Sequence, residues 1–190
     1  MKKINLLAVL AIVAATLCAC SEKKIEDPYQ TALIEALQKQ STEQFTSVEF
    51  FAFEKIDSST FRDEFGRRRS VFELKVEHDS TLYAKFVGEK KPTNAEIQRK
   101  NMLKDQGIIV RLDSLAESFG DNIDDVAFYD YHFSVLAKGK TSVMKLDDAY
   151  AAITPNYEVV GLTTKKRDIH KATGKSIPGY LELIKDEGEE

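Results

Sequence analysis

The chain has no tryptophan, two cysteines, three histidines and four prolines in 190 residues. Both cysteines, Cys18 and Cys20, fall in the first twenty residues. The rest of the chain therefore cannot be a disulfide-stapled scaffold, a thiolate zinc site or a cysteine-nucleophile enzyme. His78, His132 and His170 are far apart, and none pairs with another at i, i+4, so a metal site has no support. Positive charge is not in excess. There are 27 basic and 31 acidic residues, a net charge of −4, whereas a nucleic-acid binder shows a basic stripe. No apolar run reaches the about 20 residues of a bilayer-spanning helix. What is present is 43% hydrophobic and 31% charged residues. That is a globular balance in a length that suits one domain.

The first twenty residues carry the most specific signal. Lys2 and Lys3 precede an unbroken apolar run from Leu6 to Ala15. This run is too short to span a bilayer and suits a signal-peptide core. It ends in Leu17-Cys18-Ala19-Cys20, which resembles a bacterial lipobox. The resemblance implies cleavage after Ala19, diacylglycerol on Cys20 and acylation of the new N-terminus. Cleavage there removes Lys2 and Lys3 and shifts the net charge from −4 to −6. Two or three acyl chains anchor durably where one does not. Ser21, in the position where Asp favours inner-membrane retention in some bacteria, points to the outer membrane. Residues 20–27 then form a polar tether.

Beyond the tether, Asp27-Pro28-Tyr29-Gln30 reads as a capped helix start, and Tyr29, Leu33 and Leu37 recur at spacing four. The spacing predicts a helix over 28–40. From Val48 the period becomes two. Strands are expected at Val48–Lys55, Val71–Glu77 and Leu82–Phe86, with a polar loop at Asp57–Arg68. Thr93-Asn94-Ala95-Glu96 is a second capping-box pattern. Residues 93–119 read either as one helix or as a helix, a strand and a short helix split near Gly107. Val126–Ala137, Val143–Ala151 and Tyr157–Leu162 complete the strands.

The expectation is an α+β domain over 28–163. It has an antiparallel, curved sheet of about six strands, the N-terminal helix packed on it, and a second helical segment inserted after the third strand. Residues 164–190 are expected to be a charged, mobile tail. The lipobox, the Asp27–Gln40 helix and the strand pairs around Tyr129–Leu136 together resemble small Bacteroidota-type lipoproteins with a cystatin-like or NTF2-like domain. That resemblance implies no activity, because fold does not carry function.

Several residue sets bear on chemistry. Asp130, His132 and Ser134 share one face of a strand and are the residue types of a nucleophilic triad. A flat row supplies no oxyanion hole, and no Gly-x-Ser-x-Gly elbow is present. These three are read as a possible ligand face. Arg67, Arg68 and Arg69, at the end of the expected loop, are a possible contact with an anionic or acidic partner. Gly139-Lys140-Thr141 and Gly174-Lys175-Ser176 end like phosphate-binding loops but lack the earlier glycine, and read as turns. Asp121, Asp124 and Asp125 lack the spacing of a calcium loop. No cofactor and no metal is expected. The functional expectation is a membrane-anchored, non-catalytic binding or accessory domain whose partner is a protein, a glycan or a small apolar ligand. The alternatives are a shallow-site hydrolase at Asp130/His132/Ser134 and an inhibitor or immunity-type lipoprotein.

Overall fold

The computed structural model of the protein describes residues 27–185. The lipobox residues Leu17, Cys18, Ala19 and Cys20 lie outside the described residues. In chain order the elements are α1 (Pro28–Gln40), β1 (Ser47–Thr60), α2 (Phe61–Gly88), α3 (Pro92–Ser118), β2 (Val126–Lys138), β3 (Val143–Ile153), β4 (Val159–Thr163) and α4 (Tyr180–Lys185). Short 3-10 turns cover Gly120–Asp124, Lys166–Lys171 and Thr173–Ser176. The fold is α+β, with one four-stranded antiparallel sheet in the order β1-β2-β3-β4.

Helix α1 starts where the sequence places it. The Asp27 carboxylate accepts a hydrogen bond from Tyr29 N at 2.8 Å, which satisfies one free N–H of the first turn. Leu33 and Leu37 then point at one face of the sheet, where they meet Tyr131, Phe133, Val135, Ala149, Ala151 and Ile153. The odd-numbered positions of β2 supply this face, because successive strand side chains alternate. Burial pushes the Tyr131 hydroxyl up to about 12, with the hydroxyl of Tyr29 as a second cause.

Among the described residues the expected six strands are four, and the difference lies in residues 61–88. Val71–Glu77 and Leu82–Phe86 are not strands, and Asp57–Arg68 is not a loop. β1 runs on to Thr60, and α2 begins at once. Thr60 and Asp63 form a reciprocal capping box: Thr60 N donates to Asp63 Oδ2 at 2.8 Å and Asp63 N donates to Thr60 Oγ1 at 3.2 Å. The stretch that follows is rich in Glu, Lys, Arg and Leu, all favourable in helices. The alternation of Phe72, Leu74 and Val76 is incidental. Phe72 is buried while Leu74 is 66% exposed.

Helix α3 is continuous through Gly107 and starts at Pro92, so Thr93 lies inside the helix rather than capping it. α2 and α3 form a helical hairpin inserted between β1 and β2. Its base is packed: Phe65, Phe72, Ile108 and Leu112 form a second core with Ile177 and Tyr180. Between Phe72 and Ile108, all described residues, Ala95 alone is buried. The outer part of the hairpin is therefore an arm, about 24 Å long at 1.5 Å per residue.

The expected mobile tail is corrected over its described part, 164–185. This segment crosses the face of the sheet opposite α1. Ile169 packs with Ala127, Phe128 and Ala152 in a third core. Ile177 and Tyr180 join the second. The approach is close. A Cβ on Gly161 would lie 2.6 Å from the Ile169 carbonyl oxygen, so β4 can carry no side chain at that point. The tail's basic residues hide an apolar pattern that the core absorbs.

Candidate functional site

The row on β2 does not act as one site. Asp130 is buried beneath the C-terminal segment, and its Oδ2 lies 3.2 Å from His170 Nε2. His132 sits in the open part of the same face, between strands. Its Nε2 is 2.7 Å from Asp148 Oδ1 on β3, and its Nδ1 is 3.1 Å from Glu54 Oε1 on β1. The Ser134 hydroxyl donates to the Asp147 carbonyl. The three residues are thus committed to separate partners, four in all, and no relay of hydrogen bonds links them.

The bond to Asp148, reinforced by Glu54, raises the His132 pKa above its ordinary value, against a smaller opposing effect of burial. A raised folded value means that this contact stabilises the fold fully below the unfolded value of about 6.5 and loses its effect as the pH rises through the folded value. The stability difference between the protein and His132→Gln is expected to be largest near pH 5–6 and to shrink towards pH 9. Imidazole titration by NMR checks the cause: a His132 midpoint at or below 6.5 would refute the bridge.

Arg67, Arg68 and Arg69 are not a contact loop. They lie on the second and third turns of α2 and are largely used internally. Arg67 Nε bonds Glu64 at 2.6 Å, and Arg68 Nη2 bonds Glu64 at 3.1 Å. Arg68 also donates to Thr173 Oγ1 at 3.0 Å and to the His170 carbonyl. Its guanidinium occupies the place a side chain on Gly174 would need, with Nε 2.6 Å from the would-be Cβ. Arg69 bonds Asp113 at 3.0 Å and also Glu73. Glu64, with no exposed side-chain surface, is the hub. The Thr173 hydroxyl lies 2.8 Å from Glu64 Oε2 and 3.0 Å from the His170 carbonyl, two acceptors for one proton.

The two phosphate-loop fragments are occupied by the protein itself. At the β2–β3 hairpin, the backbone amides of Thr141 and Ser142 donate to the Glu43 carboxylate, at 3.2 Å and 2.6 Å to its Oε1. Bonds from Ser142 and Thr141 hold that carboxyl below its usual value. Gly174-Lys175-Ser176 lies in a 3-10 turn beneath Arg68. Asp124 pairs with Arg62 at 2.7 Å. Among the described residues, no group of three His, Cys, Asp or Glu side chains is placed to hold a metal, and no helix is long and apolar enough to cross a membrane.

Besides the sheet face around His132, two surfaces remain open. The first is the arm. Lys85 and Lys91 pair with Glu89 near its tip and Arg99 pairs with Glu96, and Leu74, Val87, Ile97 and Leu103 are exposed along it. A cleft of about 430 Å³ between its helices is lined by Leu74, Lys75, His78, Asp79, Asn101, Lys104 and Asp105, with both charge signs mixed. The second is a groove between α1 and the β3–β4 turn, centred on Tyr157. Sequence reading missed Glu64, Thr173, Glu54 and Asp148. Of these, only Glu64 left a trace, in its spacing to Arg67 and Arg68.

No family model matches this chain, no curated protein is similar to it, and no solved structure matches it.

Proposed function

We propose that the protein is a lipid-anchored binding module of the bacterial cell envelope, held at the membrane through Cys20 and facing the periplasm or the cell exterior. It binds its partner and does not turn it over. One observation carries the second half of this reading: Asp130, His132 and Ser134 are each bonded to a different neighbour, so the triad types do not converge on a reacting atom. The anchoring half is supported by Lys2, Lys3, the apolar run and Leu17-Cys18-Ala19-Cys20, and Ser21 supports the outer membrane. A tethered module needs an exposed recognition surface. The groove along α1, the arm, and the sheet face around His132 offer three, for a protein, a glycan or a small apolar ligand.

Fractionation tests the tether. The natural chain is expected in the membrane pellet and in the detergent phase, and Cys20→Ala in the soluble fraction. Membrane association unchanged in Cys20→Ala would overturn the lipid anchor.

A further inference from the structure

The turn between β3 and β4 holds an aromatic ring on strained backbone. Tyr157 has φ of +64°, a left-handed conformation that side chains with a Cβ rarely adopt. Bulky residues there mark positions where the surroundings impose the geometry, often for function. Here three hydrogen bonds lock the turn: Tyr157 N to the Thr154 carbonyl at 2.9 Å, Thr154 N to the Glu158 carbonyl at 2.9 Å, and Glu158 N to Thr154 Oγ1 at 3.1 Å. The ring also meets Tyr29 of α1 at 4.9 Å between centroids, at an interplanar angle of 72°. Despite this support, Tyr157 remains 48% exposed. The left-handed residue closes the β3–β4 hairpin turn, and its ring stays on the outside against Tyr29.

Clefts lie on both sides of it. One of about 500 Å³ is lined by Pro28, Thr31, Ala32, Glu35, Asn156 and Tyr157. The other, of about 440 Å³, shares Ala32, Glu35 and Tyr157 and adds Ala36, Lys39, Gln40 and Glu158. Together they make one open groove along α1, with two alanines leaving room beside the helix. The side chains of Glu35, Gln40 and Asn156 are exposed on its walls and make no hydrogen bond among the described residues.

We propose that this groove binds an oligosaccharide, with the free surface of Tyr157 as the stacking platform and Glu35, Gln40 and Asn156 as partners for sugar hydroxyls. The chemistry matches group by group. A pyranose offers polarised C–H bonds on one face, which suit the electron-rich face of a phenol ring. Its rim carries hydroxyls that both donate and accept. A carboxylate accepts from them, and amides do both. The lining carries Lys39 against Glu35 and Glu158, which favours a neutral glycan over a phosphorylated or uronic one. A small apolar ligand would need an enclosed, apolar-lined cavity, and this groove is open, with charged and amide side chains beside Ala32, Ala36 and Val159 on its walls. Its two-sided shape fits a chain of sugars, with one ring on Tyr157 and neighbours on either side.

This inference rests on the reading of the protein as a binding module, but its test is independent of the lipid anchor. The full chain, held in mild detergent, is titrated with cellohexaose, laminarihexaose, maltohexaose and xylohexaose, by calorimetry and by tyrosine emission. That emission carries no tryptophan background, since the chain has none. Saturable binding of at least one hexasaccharide is expected. Tyr157→Asn removes the ring and suits the left-handed backbone, so the fold should persist, as an unchanged melting temperature would verify. It is expected to weaken binding by tenfold or more. Glu35→Gln and Asn156→Ala are each expected to weaken it three- to tenfold, and Arg167→Ala, on the C-terminal segment across the sheet, to leave it unchanged. Absence of saturable binding to all four sugars at millimolar concentration, or affinity unchanged in Tyr157→Asn, would overturn the proposal. A soluble Cys20→Ala protein that still binds sugar would separate a failed tether from a failed site.

Discussion

Glu64→Ala is expected to destabilise the protein by about 3–5 kcal/mol, the usual cost of leaving a buried charge without its partner. The carboxylate has no exposed surface and holds Arg67 at 2.6 Å and Arg68 at 3.1 Å. Removing it leaves the Arg68 guanidinium, 12% exposed, and the half-buried Arg67 without their carboxylate, and frees the Thr173 hydroxyl that ties in the C-terminal segment. At about 2–4 °C per kcal/mol for a chain of this size, Tm should fall by roughly 6–20 °C. Hydrogen exchange should rise first in residues 166–185, because they depend on Arg68 and Thr173 for attachment. Glu64→Gln keeps an acceptor and should cost less. A fall in Tm below about 2 °C for Glu64→Ala would mean that the buried network does not fasten this segment.

The second large effect is Phe133→Ala, expected to cost about 3–5 kcal/mol. Phe133 has no exposed surface and lies in the core between α1 and the sheet. Its loss removes both the transfer energy of the ring and the packing of its neighbours, since close-packed interiors refill a void only in part. The consequence should reach α1. A helix of 13 residues is marginal in isolation and stands here on Leu33 and Leu37 against that core. Chemical denaturation should show the lower stability, and the α1 amides should lose protection along with it. If those amides stay protected to the level of the natural chain, α1 is held by something other than this core.

The parts of the fold that were legible are those whose signal is local. Asp27-Pro28 announces α1, and the cap forms as an N-terminal carboxylate should. The alternation across β2 correctly separates the buried Tyr131, Phe133, Val135 and Ala137 from the polar row opposite. Residues 61–88 were misread because two periods overlap there. Phe72 and Val76 satisfy both a strand's alternation and a helix's i, i+4 spacing, and Leu74 tips the pattern towards the strand. The Thr60–Asp63 capping box would have tipped it back. The C-terminal segment was misread because its charge is dense. Ile169, Ile177 and Tyr180 are sparse within it, yet they are the residues that pack.

The polar site was out of reach for a different reason. Asp130, His132 and Ser134 sit together on the strand as the alternation requires. Their partners come from β1, β3 and the C-terminal segment, far along the chain. Glu64 and Thr173 are separated by 109 positions. Nothing in the neighbourhood of Ser134 or Arg68 records which distant group will be brought against it.

The sequence by itself determined the absence of thiol chemistry beyond Cys20, the start of α1, the sidedness of β2 and the glycine-marked hairpin after it. It also holds the signal from which the tether is proposed. Each depends on composition or on residues within a turn of one another, where steric and hydrogen-bonding preferences act directly. Only the tertiary structure decided that residues 61–118 form a helical hairpin, that the basic tail closes over the sheet, and that Arg67 and Arg68 bond to the buried Glu64. It also decided that a strained Tyr157 stands beside α1. These outcomes follow from which apolar faces find each other. That pairing sets the burial of every charge, and burial decides whether an arginine meets a carboxylate or water.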